Sequence, residues 1–160
     1  MTMLIVDDSK MNIKIARDTL LEFDVSGDII GCLSGEEALE ILENDSIDLI
    51  LLDIIMPGIS GLDFLKIISE NGYLSRVKVV MLTTVEDLQV LKQCFELGAT
   101  DYIHKPFDKI EFVVRIKSVL TEIENHNKFI KALKFLESQN NELRNENHAL
   151  KHQLDQYLKV

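Results

Sequence analysis

Five short apolar runs alternate with amphipathic helical stretches over the first 120 residues, and this alternation constrains the fold more than any other feature. The runs cover residues 2–6, 28–33, 48–52, 77–82 and 100–103. They are apolar nearly throughout, as strands buried on both faces are. Between the first two, Ile13, Ala16, Leu20 and Phe23 fall on one helical face. Ser34 and Glu37 have the spacing of a capping box and open a helix through Ala38, Leu39, Ile41 and Leu42. After the turn at Pro57 and Gly58, residues 61–72 carry Leu62, Leu65, Ile67 and Ile68 at helical spacing. Residues 86–97 form a fourth helix ended by Gly98, and a fifth begins near Asp108. Repeated strand–helix units of this kind predict a doubly wound α/β domain, with a five-stranded parallel sheet covered on both faces.

From about residue 108 to 158 there is neither proline nor glycine. The fifth helix is therefore expected to run on as a rod, giving a domain over 1–120 and a continuous helix over 121–160. Ile116, Val119, Ile123, Ile130 and Leu133 fit one heptad register, with His126 in a d slot. Leu133, Asn140, Asn147 and Leu154 then recur as a positions, and Leu136, Leu143, Leu150 and Tyr157 as d positions. The change of register near 130–136 resembles a stammer. Asparagine at an a position costs stability but selects a parallel, in-register pair. Glu146 at g can reach Lys151 at e of a second helix. A helix of ~40 residues is roughly 60 Å long, too long to fold back on so small a domain. A parallel homodimeric coiled coil through Leu133, Leu136, Asn140, Leu143, Asn147, Leu150 and Leu154 is the expected arrangement.

Charge is unevenly placed: residues 1–120 hold 21 acidic and 11 basic side chains, and residues 121–160 hold 6 of each. An acidic first domain argues against a nucleic-acid partner, which needs clustered Lys and Arg. Cys32 and Cys94 stand far apart with no CxxC, so both are expected as buried thiols of a reducing compartment. No stretch approaches the ~18 apolar residues of a membrane span, and Asp7 and Asp8 interrupt the place of a signal peptide's apolar region. A cytoplasmic chain with no membrane partner is the expectation.

Open parallel sheets place ligands at the carboxyl ends of their strands. There, strand one delivers Asp7 and Asp8, strand three Asp53, strand four Thr83, and the end of strand five Lys105. Any one of these acids alone would be an ordinary helix cap. Together they form a crowded anionic rim whose repulsion demands a cation. A hard divalent ion with oxygen ligands answers it, and Mg²⁺, which keeps several waters, suits it (with Mn²⁺ as a substitute). Asp8 and Asp53 are the expected direct ligands, Asp7 binds directly or through water, and the backbone carbonyl of Ile55 can add an oxygen.

Val6-Asp7-Asp8-Ser9, the segment from Asp53 through Met56-Pro57-Gly58 to Gly61, Leu82-Thr83-Thr84, and Asp101 through Lys105-Pro106-Phe107 resemble, in order and spacing, the receiver domain of two-component response regulators. The likeness covers about residues 2–120. It implies a flavodoxin-like fold with strand order 2-1-3-4-5, Asp53 as phosphoacceptor, and a sensor histidine kinase, phosphotransfer protein or acetyl phosphate as donor. Thr83 and Lys105 would bind the phosphoryl oxygens, and the Lys105–Pro106 peptide would be cis. Thr83 and Tyr102 would act as the switch pair.

Thr84 stands where such domains often carry Ala or Gly, and Ile55 and Val85 are apolar, so neither can orient an attacking water. Slow loss of the phosphoryl group is expected. His104 is expected at the surface. The chain then acts as a signalling module rather than an enzyme, taking part only in its own phosphorylation and dephosphorylation. Aspartate-dependent phosphohydrolases carry Asp-x-Asp, whereas Asp53 is followed by Ile54 and Ile55. A scaffold that never takes phosphate would not need Thr83 and Lys105. Two outputs remain open: a regulatory piece of a longer protein, such as a diguanylate cyclase or cyclic-di-GMP phosphodiesterase, or an adaptor whose coil binds a partner.

Overall fold

The computed structural model describes residues 1–158, apart from the side chains of 155–157. Strands β1 (Thr2–Val6), β2 (Asp28–Cys32), β3 (Leu49–Asp53), β4 (Lys78–Thr83) and β5 (Asp101–His104) alternate with helices α1 (Lys10–Glu22), α2 (Gly35–Asn44), α3 (Gly61–Glu70), α4 (Leu88–Glu96) and α5 (Lys109–Tyr157). All strand pairs are parallel, in the order β2-β1-β3-β4-β5. This is the flavodoxin-like doubly wound sheet.

The pleat sends alternate residues to opposite faces. Leu4, Val6, Ile50, Leu52, Val79 and Met81 meet Ala38, Leu42, Phe64, Leu65, Ile68 and Cys94 in one core layer. On the other face α1 and α5 lie side by side, where Lys109 pairs with Glu22 at 2.6 Å and Lys117 donates to the carbonyl of Phe23 at 2.9 Å. Cys32 and Cys94 are free and buried. Burial pushes the Cys32 thiol up to about 12, helped by the nearby Glu37 charge, so both behave as small apolar core groups.

Local capping decides where helices start. Ser9, Ser34, Ser60 and Asp87 each accept a backbone N–H of the turn that follows. Asp87 delays α4 to Leu88, later than its apolar spacing suggests. The box at α2 is offset: Glu37 N–H reaches Ser34 Oγ at 3.2 Å, but the Glu37 carboxylate accepts from Leu33 N–H at 2.9 Å. Strand β5 starts one residue late because its register on β4 pairs Val80 with Asp101 and Thr83 with His104. Phe23 is only half-buried, because it terminates α1 rather than belonging to its inner face. Phe64, fully buried, is the largest core side chain of α3.

Two compact units divide at Thr121/Glu122. In the first, Ile116 and Val119 are buried with Phe112, Val113 and Leu120. That stripe of α5 serves its own domain's core. These two positions of the first heptad register are therefore spent on the domain's own core, which corrects their reading as the opening of a coil. The second unit is helical through Tyr157, with Phe129, Leu133, Leu136, Leu143, Leu150 and Leu154 all exposed along one a/d stripe. Phe129 extends the stripe one d position earlier. The d position at Tyr157 lies outside the described side chains. Among the described residues no helix is long and apolar enough to cross a membrane.

Candidate functional site: an acidic cleft at the carboxyl edge of the sheet

Backbone pairing brings the acids together. Asp7 continues β1, its N–H donating to the carbonyl of Cys32 at 3.2 Å. Asp53 is the last residue of β3, opposite Leu82. Lys105 follows β5, its N–H donating to the Thr83 carbonyl at 2.7 Å, and the Lys105–Pro106 peptide is cis. Gly61 permits the tight return into α3: a Cβ there would lie 2.0 Å from the Asp53 carbonyl oxygen. No other residue fits this close approach without moving the strand that carries Asp53.

The result is a cleft of about 480 Å³ whose polar walls are Asp7, Asp8, Asn12, Asp53, Thr84 and Lys105. Carboxylate oxygens of Asp7, Asp8 and Asp53 all lie within 4.8 Å of one another. Asp7 is 1% and Asp53 6% exposed, whereas Asp8 faces solvent. The Lys105 ammonium donates to Asp7 Oδ2 at 2.7 Å and to Asp53 Oδ2 at 2.8 Å. Asp53 Oδ1 accepts a longer bond, 3.3 Å, from Ile55 N–H. Burial raises the Asp53 pKa; Lys105 opposes that rise and the Asp7 charge adds to it.

One ammonium pairs with Asp7 and Asp53 while Asp8 stands beside them, so these four groups carry excess negative charge that a cation would relieve. The donor set is all oxygen, partly exposed through Asp8 and open to water. It fits a hard divalent ion of the Mg²⁺ or Mn²⁺ type and offers nothing to a thiophilic metal.

The other sequence-predicted residues are placed less simply. Ile55 lies on the cleft wall with its side chain exposed. Thr83 is fully buried, and its hydroxyl accepts from Val85 N–H at 2.8 Å; the cleft wall after β4 is formed by Leu82 and Thr84. Tyr102 is partly exposed and packs edge-to-face on Phe95, ring centres 6.0 Å apart. His104 is exposed, 3.7 Å from Glu86.

Two residues lining the cleft, Asn12 and Ile15, escaped sequence reasoning, and Phe107 was met only as part of a motif. Asn12 donates to Asp7 Oδ1 at 3.0 Å. Its sole sequence signal is its place one turn into the helix that starts beside the acid pair. Phe107 lines the cleft and stacks on Phe112 of α5 at 4.3 Å.

Comparison with known proteins gives a consistent result. A family model described as the response regulator receiver domain matches residues 3–117. A protein named "Probable transcriptional regulator ycf27" from Cyanidium caldarium is 41% identical over 131 residues, 81% of this chain and 50% of the relative. One named "Probable cyclic di-GMP phosphodiesterase" from Vibrio cholerae is 41% identical over 105 residues, 66% of this chain and 23% of the relative. A CheY-like receiver domain structure from Methanospirillum hungatei aligns with a TM-score of 0.70 at 27% identity, covering 78% of this chain and 97% of that one. The chain thus spans half or less of the length of the two curated relatives.

Proposed function

This chain belongs to the response regulator receiver domain family, and on that premise we propose that Asp53 is its phosphoacceptor, charged by a histidine kinase, a phosphotransfer protein or a small donor such as acetyl phosphate. The observation that carries the reading is Asp53 at a strand end, 2.8 Å from Lys105 and within 4.8 Å of two further acids.

An Asp53 carboxylate oxygen attacks the donor phosphorus. The phosphorus–nitrogen bond of a phosphohistidine, or the phosphorus–oxygen bond of acetyl phosphate, breaks with its electron pair leaving on the donor. An acyl phosphate forms. Burial leaves the Asp53 carboxylate poorly solvated, which favours its use as a nucleophile. Lys105 already contacts the attacking group, and its compact charge can follow the incoming oxygens. A Mg²⁺ ion held by Asp8, Asp53, Asp7 (directly or through water) and the Ile55 carbonyl supplies, when bound, the positive charge that phosphoryl transfer needs.

In this reading Thr83 exchanges its bond with Val85 N–H for a phosphoryl oxygen. Tyr102 leaves Phe95 and fills the space that Thr83 vacates. The surface formed by α4, β5 and the start of α5 is thereby reshaped. Ligation shifts a pre-existing equilibrium only by its difference in affinity for the two states.

Output passes to a parallel homodimer through the exposed a/d stripe, with Asn140 and Asn147 fixing register. The relatives' names favour a second form of this reading, in which these residues regulate a further domain in a longer protein.

Acetyl phosphate with Mg²⁺, followed by borohydride reduction and peptide mapping, is expected to label Asp53 alone. A label elsewhere overturns the assignment. Because Ile55 and Val85 offer no proton acceptor and Thr84 narrows the cleft, the phosphoryl group is expected to persist for hours. Decay within minutes contradicts that part.

A further inference from the structure

Resting on the reading of Asp53 as phosphoacceptor, we infer that Asn12 is a positioning residue: it fixes the Asp7 carboxylate and thereby sets how tightly the acidic cleft binds its divalent cation.

Asn12 stands in the first turn of α1, where its own N–H donates to the capping hydroxyl of Ser9 at 3.4 Å. Its side chain turns back over the cleft, and Nδ2 donates to Asp7 Oδ1 at 3.0 Å. The amide orientation follows from chemistry: an ionised carboxylate only accepts, so the group facing it is the NH₂. The same oxygen accepts Ser9 N–H at 2.9 Å, and Oδ2 accepts Lys105 at 2.7 Å. Three donors thus hold both oxygens of a carboxylate that is almost wholly buried.

The three donors do different things. Ser9 contributes a fixed backbone amide. Lys105 contributes charge, but shares it with Asp53. Asn12 is neutral. It orients Asp7 without cancelling the negative charge that attracts a cation, which a Lys or Arg at this position would do. Without it, the Asp7 plane can turn about its Cβ–Cγ bond, and Lys105 can follow it away from Asp53. Outer groups that orient metal-site carboxylates commonly change affinity in this way.

The test is calorimetric titration of the full chain with MgCl₂, parent against Asn12→Ala. The expected result is a Kd raised about tenfold, with a thermal midpoint in EDTA changed by no more than a few degrees. Phosphorylation by acetyl phosphate should slow when Mg²⁺ is scarce and recover near the parent rate at saturating Mg²⁺; a purely structural role would not produce that split. Should Asn12→Ala fail to fold, Asn12→Ser carries the same expectation, being polar but too short to reach Asp7. A folded variant whose Kd stays within about twofold of the parent's overturns the inference. A parent that neither binds Mg²⁺ nor takes phosphoryl overturns the phosphoacceptor reading as well, so the two failures are distinguishable.

Discussion

Asp53→Asn is expected to abolish phosphoryl uptake and, at the same time, to make the folded chain more stable. The first half follows because an amide cannot form an acyl phosphate, and because Asp7, the more deeply buried of the two, is pinned by three donors where Asp53 accepts from two. The second half follows from the crowding. Burial raises the Asp53 pKa in the folded state above its unfolded value. Ionising this carboxylate therefore costs folding free energy. That cost is absent below the ordinary carboxylate range, develops as pH rises through the unfolded and then the folded pKa, and is complete above both. Asparagine removes it.

In the absence of divalent cations the variant should be the more stable form at neutral pH, seen as a rise of a few degrees in Tm. The gain should shrink towards zero in acid. Excess Mg²⁺ should reverse the order, since binding to the folded parent stabilises it by about 2.7 kcal/mol at a hundred times Kd. A misfolded variant would lose both activity and stability, so the opposite signs are diagnostic. Equal stability at all pH values would remove the electrostatic argument.

Leu143→Asp is expected to convert a two-chain species into a single chain in sedimentation equilibrium while leaving acetyl phosphate uptake intact. Leu143 sits midway along an exposed stripe from Phe129 to Leu154 that a single chain leaves in water. In a parallel pair each d residue meets its own copy, so the substitution places two carboxylates face to face in an apolar seam. Burying such charges unpaired costs several kcal/mol, more than one heptad can offset. A parent that sediments as one chain in every condition would contradict the coil. With Mg²⁺ and beryllofluoride, a constant dimer places control in geometry, and a change of mass places it in assembly.

The alternation of strands with helices and the chain's acidic rim were readable because period and position report them directly, whereas the strand order 2-1-3-4-5 was legible only through the resemblance to receiver domains. Continuous apolar runs such as 49–52 leave little besides a doubly buried strand, and parallel strands must bring Asp7, Asp53 and Lys105 to one edge. What could not be read is where a side chain turns within that edge. Thr83 has the right place on β4, yet its hydroxyl is spent on Val85 N–H and Thr84 reaches the cleft. Asn12 looks like any polar residue of a helix's first turn, and only the fold brings its amide to Asp7. Helix α5 shows the limit of periodicity itself. Ile116 and Val119 have heptad spacing because they face their own core, while Leu136 and Leu143 share that spacing and face water. Hydrophobic period says that a stripe must be covered, not by what.

The most direct measurement is the intact mass of the chain after acetyl phosphate, once with Mg²⁺ and once with EDTA. A hard cation drawn in by three crowded acids predicts one added phosphoryl group in the first sample and an unchanged mass in the second. Equal addition in both, or none in either, would contradict it.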